Sequence, residues 1–201
     1  MSALIVGLTG GIGCGKSTIA ERFVEKGAGL VDADAVSHML TKPGAAGSIA
    51  IRDVLGAQYF DTDGNLDRAM LRQDVFSNPS IKQALESVLH PLIRIETARQ
   101  VAGLRTPYVL LMVPLLLERG RQHTTCDRVV VVDCLESTQV ARVVARSNLD
   151  PGQVRAIIAA QIPRERRLAL ADDVIDNEVA PALTAGPIAR LDRLYRRLSG
   201  S

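Results

Sequence analysis

Gly10-Gly11-Ile12-Gly13-Cys14-Gly15-Lys16-Ser17 satisfies the pattern G-x-x-x-x-G-K-[ST], and it lies between an apolar run, Leu4 to Leu8, and a helical one. The helical stretch is read from Ile19, Ala20, Phe23 and Val24, which recur at helix spacing, with Gly27 as its stop. In a strand, loop, helix unit of this kind the glycines let successive backbone N–H groups turn towards one anion, and the helix that follows presents its positive end to the same point. Gly11, Ile12, Gly13, Cys14, Gly15, Lys16, Ser17 and Thr18 are therefore expected to bind the phosphates of a nucleotide. Lys16 should reach the outer phosphates, and Ser17 should offer its hydroxyl to Mg²⁺. A glycine turn that merely joins strand to helix would not need the lysine and hydroxyl at these positions.

Working outward, further short apolar runs occur at Leu30 to Val31, Tyr108 to Val113, Val129 to Val132 and Val174 to Ile175. Several are continuous rather than alternating, as strands buried on both faces of a parallel sheet require. Helical patterns separate them, so the fold class is α/β with a parallel sheet of five strands. The stretch from about Ala35 to Gly103 is mostly helical in pattern and too long for an ordinary crossover, which predicts an inserted subdomain. Within it Asn78-Pro79 reads as a helix start, with Ile81, Ala84, Leu85, Val88 and Leu89 on one face. His90-Pro91 predicts a break or kink and a new helix from Pro91. A second insertion-like segment, Ser137 to Ala171, carries Arg142, Arg146, Arg155, Arg164, Arg166 and Arg167, and Asp150-Pro151 divides it as a cap and a first helical position.

Composition excludes other classes. The chain has 201 residues, 47% hydrophobic and 23% charged, enough apolar side chain for one compact domain rather than a disordered chain. Its net charge of +2 is too weak to mark a nucleic-acid or acidic-membrane surface, and three Phe, three Tyr and no Trp disfavour stacking of single-stranded bases. The longest apolar run, Val109 to Leu117, is nine residues with Pro114 inside it, whereas a bilayer takes about 20. No positive charge precedes Lys16, so the start reads as a buried strand rather than a secretory signal. Cys14, Cys126 and Cys134 show no zinc spacing and are odd in number, which suits a reducing, cytoplasmic compartment.

The phosphate loop followed by Asp32-Ala33-Asp34 closely resembles the bacterial dephospho-coenzyme A kinase family, and the likeness continues in order almost from end to end. It runs through Leu89 to Arg94 (LHPLIR), Val113 to Glu118 (VPLLLE), Val129 to Asp133 (VVVVD) and Ala171 to Asn177 (ADDVIDN). The resemblance implies a three-layer P-loop kinase fold with a nucleoside-monophosphate-kinase-like core, a helical substrate subdomain at about 35–105 and a lid at about 137–171, all in a single domain over 1–201. It also implies ATP and dephospho-coenzyme A as partners, with Mg²⁺, and phosphorylation of the ribose 3′-hydroxyl to give coenzyme A and ADP. Nucleic acid and membrane are not expected as partners, and a monomer is the default. A kinase for another metabolite and a nonenzymatic nucleotide switch would share the same loop. The paired acids favour catalysis, and the absence of an Asn-Lys-x-Asp segment weakens a GTPase.

The likeness assigns roles residue by residue. Asp34 is the candidate general base and Asp32 the reserve; both would face one side if the second strand ran past them, and a helix cap is the alternative reading. Lys16 and Arg142 complete the catalytic set. Arg142 and Arg146 share a helix face that is either phosphate-binding or merely solvated, Arg167 is a weaker phosphate candidate, and Arg164 and Arg166 read as surface charges. His90 and Arg94 belong to the segment that lines the acceptor, with a role in the kink as the alternative for His90. Asn177 either helps recognise adenine, near the loop that follows the last strand, or forms a local turn. Asp133 either contacts metal or caps a helix, and Asp172, Asp173 and Asp176 carry no separable roles. Cys14 departs from the family's usual Ser. Beside Lys16 and a helix start its thiol reads either as one of raised thiolate character, shielded by ATP, or as inert packing.

Overall fold

A computed structural model describes residues 4–118, 120, 125–178 and 184–200. Five strands form one sheet in the order β2-β3-β1-β4-β5: β1 Leu4–Gly10, β2 Gly29–Asp32, β3 Tyr108–Met112, β4 Arg128–Asp133 and β5 Asp173–Asp176. β1 runs parallel to β3 and to β4, with Val6 opposite both Leu110 and Arg128, and β4 runs parallel to β5. The three central strands are the continuous apolar runs. Val109 and Leu110 of β3 and Val129 to Val132 of β4 are fully buried, as a central parallel strand covered on both faces must be. β5, at one edge, alternates instead: Ile175 is buried while Val174 is exposed.

The chain divides into two compact units, residues 1–31 with 101–201 and residues 32–100. The first holds the central strands and the helices α1 (Lys16–Val24), α6 (Glu136–Ser147), α7 (Pro151–Ala159), α8 (Arg164–Ala169) and α9 (Ala185–Ser199). Its core packs Ile19, Ala20 and Phe23 of α1 and Ile188, Leu191 and Tyr195 of α9 against Val6, Leu8, Leu110, Val130 and Val132 of the sheet. Val24, assigned to the same helix face by its spacing, is exposed, because the core takes a narrower stripe of α1 than the pattern allows.

Polar side chains are satisfied within this core. The buried Tyr108 donates its hydroxyl to Asp192 Oδ1 at 2.9 Å, and Arg196 Nε reaches the same carboxylate at 3.0 Å. Tyr195 donates to Asp173 at 3.0 Å, and Arg128 pairs with that carboxylate from the neighbouring strand. Burial first, then the acid beside each, pushes both phenols well above their usual range. Tyr108→Phe removes one charge-assisted hydrogen bond from Asp192. It should cost about 2 kcal/mol and lower the melting temperature by roughly 4–8 °C. An unchanged melting curve would show that Arg196 alone satisfies Asp192.

The second unit is helical: α2 (Ala33–Leu40), α3 (Ala46–Leu55), α4 (Arg68–Ser77) and most of α5 (Pro79–Gly103). Asn78 caps α5 as expected, accepting from Ser80 N–H at 3.0 Å. The break expected at His90-Pro91 is absent, since α5 runs unbroken for 25 residues with Pro91 inside it. Proline removes one donor, and the carbonyl it orphans belongs to Ser87, which is exposed where water can satisfy it. Asp150 caps α7 with a complete capping box through Gln153.

Candidate active site

β1 delivers the chain to its C-terminal end between β3 and β4, where the strand order changes direction and open α/β sheets collect ligands. The loop there turns because glycines take backbone angles closed to other residues: Gly13 has φ 75° and Gly15, which caps α1, φ 89°. A Cβ on Gly13 would stand 2.7 Å from the Gln139 carbonyl oxygen and 2.8 Å from Val143 Cγ2, and one on Gly15 would collide with the Asn177 carboxamide. The cap has no side chain and no acid stands in the first turn of α1, so the N–H groups at this positive end remain for an anionic ligand. Ser17 and Thr18 are exposed in that turn. Lys16 folds its ammonium over the loop, donating to the carbonyls of Gly10 at 2.9 Å and Gly11 at 3.0 Å.

Residues far away in sequence hold this loop. Asn177 Nδ2 donates to the Cys14 carbonyl at 2.8 Å, and Asn177 N–H donates to Asp133 O at 2.8 Å. Asn177 thus buttresses the loop, its amide donor reaching Cys14 across 163 positions rather than a neighbour in its own turn. The loop expected near adenine falls at 179–183, outside the described residues. Arg142 Nη2 donates to Asn177 O at 2.9 Å, while its Nη1 is buried with no partner among the described residues. Arg146, on the same helix, is exposed and its Nε donates to the Ser147 hydroxyl at 3.4 Å. Gln139 is buried beside Gly11. Its Oε1 has no partner among the described residues, and a Cβ on Gly11 would come within 2.5 Å of it and within 3.1 Å of Arg167 Nη1.

Arg164 lies at the surface but is paired rather than merely solvated. Its guanidinium grips Asp133 with Nε at 2.9 Å from Oδ1 and Nη2 at 2.5 Å from Oδ2, a two-pronged ion pair at the end of β4. Arg167 is buried and donates to Ile162 O at 2.9 Å, while Arg166 is exposed. Asp172 accepts from Val129 N–H, Asp173 serves Arg128 and Tyr195, and Asp176 accepts from Glu178 N–H, so all three acids are structural. Glu178 accepts from Leu135 N–H and the Thr138 hydroxyl, hydrogen bonds that hold its carboxyl below the usual range.

Cys14 is buried, and desolvation raises its pKa despite the cations of Lys16 and Arg167. Cys134, also buried, is pushed up to about 11. Of the two readings of Cys14 this favours inert packing, because burial outweighs the lysine. Cys14 is a small packing residue in the core.

In the second unit, β2 ends at Asp32, so the alternation that would have aligned Asp32 with Asp34 never applies. Asp32 is instead the N-cap of α2, its Oδ1 accepting from Asp34 N–H at 2.9 Å and Ala35 N–H at 3.4 Å. Asp34 lies exposed in the first turn, its side chain outside those capping bonds. His90 and Arg94 sit one turn apart on α5, both exposed. Among the described residues no cluster of three or more His, Cys, Asp or Glu side chains forms a metal site, and no helix is long and apolar enough to cross a membrane.

A glycine cradle at the switch point of a parallel sheet, with a lysine over it and an uncapped helix start beneath, defines a P-loop protein. The family model of dephospho-CoA kinase matches residues 4–181, and the chain belongs to that family. Dephospho-CoA kinase of Dechloromonas aromatica is 49% identical over 199 residues, 99% of this chain and 96% of that one. The Methylococcus capsulatus enzyme is 50% identical over 196 residues, 98% and 97% of the two chains. A crystal structure from Thermus thermophilus superposes with a TM-score of 0.84 at 31% identity, covering 96% of this chain and 97% of the other. The chain is accordingly a phosphotransferase of the family that completes coenzyme A synthesis.

Gln139, Gln161 and the Asp133–Arg164 pair escaped the sequence reading. A lone glutamine carries no motif, and an ion pair across 31 positions has no local period.

Proposed function

We propose that the chain passes the terminal phosphoryl group of ATP to the ribose 3′-hydroxyl of dephospho-coenzyme A, with the loop Gly11 to Thr18 as the triphosphate cradle. The observation that carries this is the loop itself: left-handed glycines, an uncapped α1 and Lys16 poised on two loop carbonyls. An incoming phosphate competes for the ammonium of Lys16, whose ion pair with an anion is stronger than its bonds to neutral carbonyls. The loop amides and Lys16 then hold charge that develops as the phosphoryl group moves. Arg142, anchored through one nitrogen to Asn177 O and buried with the other unpartnered, is the proposed second cation on the phosphates.

The Ser17 hydroxyl, exposed at the start of α1, suits Mg²⁺, an ion that takes few protein ligands and most of its oxygens from phosphates and water. Bound there, Mg²⁺ would offset phosphate charge. Asp34 is the proposed base for the ribose hydroxyl, supported by its place in the Asp-Ala-Asp motif and by Asp32 being the cap. His90 and Arg94 are proposed to meet the acceptor, with 35–105 as substrate subdomain and 137–171 as lid. Three cysteines, odd in number and without zinc spacing, suit a reducing cytosol, and a monomer remains the default.

A coupled assay of ADP release tests the reading. Release should depend on dephospho-coenzyme A; release with another acceptor alone would mean a different kinase, and binding without release a switch. In the same assay Arg142→Ala should lower kcat roughly tenfold or more while KM for dephospho-coenzyme A changes little. An unchanged kcat would assign Arg142 to holding Asn177.

A further inference from the structure

Gln161 lies in the short connection between α7 and α8, 149 positions from the phosphate loop, yet its Oε1 accepts the backbone N–H of Ile12 at 3.1 Å. The connection that carries it is pinned on several sides. Gln161 N–H donates to Ile158 O, Ile162 N–H donates to Glu118 Oε2 at 2.8 Å, and Ile162 O accepts from Arg167 Nη2 at 2.9 Å. Two residues further on, Arg164 fastens α8 to Asp133 at the end of β4, the strand that flanks β1. The Gln161 side chain is therefore placed by the core of the unit rather than by a free loop.

A carboxamide has one acceptor end and one donor end. With Oε1 held by Ile12 N–H, the planar group can turn only its NH₂ towards whatever enters the loop, and no protein acceptor takes Nε2 among the described residues. Ile12 lies in the front half of the loop, with the Gly10 and Gly11 carbonyls that hold Lys16 beside it. That is the half which faces the outer phosphates if Lys16 reaches them. We propose that Gln161 is a phosphate-contacting residue, its oxygen oriented by Ile12 N–H so that Nε2 donates to the terminal phosphoryl group of ATP. This inference rests on the loop being the triphosphate cradle. It adds a neutral donor, supplied by the α7–α8 connection, that distinguishes a nucleoside triphosphate from the diphosphate product.

Gln161→Glu tests it, because the variant keeps shape and an acceptor for Ile12 N–H but replaces the NH₂ donor by a negatively charged oxygen. Gln161→Leu removes both ends and serves as the second variant. Calorimetry with MgATP and MgADP and single-turnover transfer are the readouts, with melting curves alongside. The expected result for Gln161→Glu is an unchanged melting curve, ADP affinity within about twofold of wild type, ATP affinity down roughly tenfold or more and transfer down about 10²-fold. ATP and ADP weakening alike in both variants would overturn the proposal and leave Gln161 as a strut of the loop, as would wild-type transfer in Gln161→Glu. A wild-type protein that binds neither nucleotide would overturn the cradle reading itself, a failure visible before any variant is made.

Discussion

Asp34→Asn should leave MgATP binding intact and slow turnover by roughly 10²-fold or more, the range that a positioned general base supplies. Asn matches Asp in shape and removes only the charge and its capacity to take a proton. The helix that carries the residue does not depend on it, because α2 is capped by the Asp32 carboxylate rather than by Asp34. Asp32→Asn is the matched control: Asn caps a helix about as well as Asp, so its effect on turnover should be much smaller. The contrast also bears on mechanism. A loose phosphoryl-transfer transition state asks little early proton removal, so a rate loss well below the expected range would assign Asp34 to orienting the hydroxyl, and near-normal turnover would remove it from both roles.

Gly13→Ala should damage the loop severely for so small a change. An L side chain at φ 75° costs about 1–2 kcal/mol, and the new methyl would lie 2.7 Å from the Gln139 carbonyl oxygen, a backbone atom that no rotamer change can withdraw. Either α6 or the loop must shift, and the loop is the part whose amides must converge on a phosphate. Nucleotide affinity should fall at least roughly tenfold, about 1.4 kcal/mol, with a lowered melting temperature. Gly103→Ala, at the end of α5 with nothing within 4 Å, should change neither. ATP affinity preserved in Gly13→Ala would show that the loop tolerates a different path.

The local signals were reliable where they depend on a few consecutive residues. The phosphate loop, the apolar run of every strand, the Asn78 cap and the Asp150 capping box all appear at the places their patterns indicated. What they left wrong or open has equally specific causes. Pro91 sits in a helix because the carbonyl it orphans is at the surface, a matter of exposure that a dipeptide does not report. For Cys14 the sequence left a reactive and an inert reading open, and burial in the core, which a local pattern does not report, favours the inert one.

By itself, then, the order of residues determined the phosphate loop, the parallel α/β class and the family likeness, since each is written in spacing over a short stretch of chain. Which side chains brace and complete the loop was decided only by tertiary structure. Asn177 reaches Cys14 across 163 positions and Gln161 reaches Ile12 across 149, while Arg164 closes on Asp133 across 31. Such pairs depend on the strand order of the sheet and on the connections that fold back over its C-terminal ends, and hydrophobic periodicity carries no record of either.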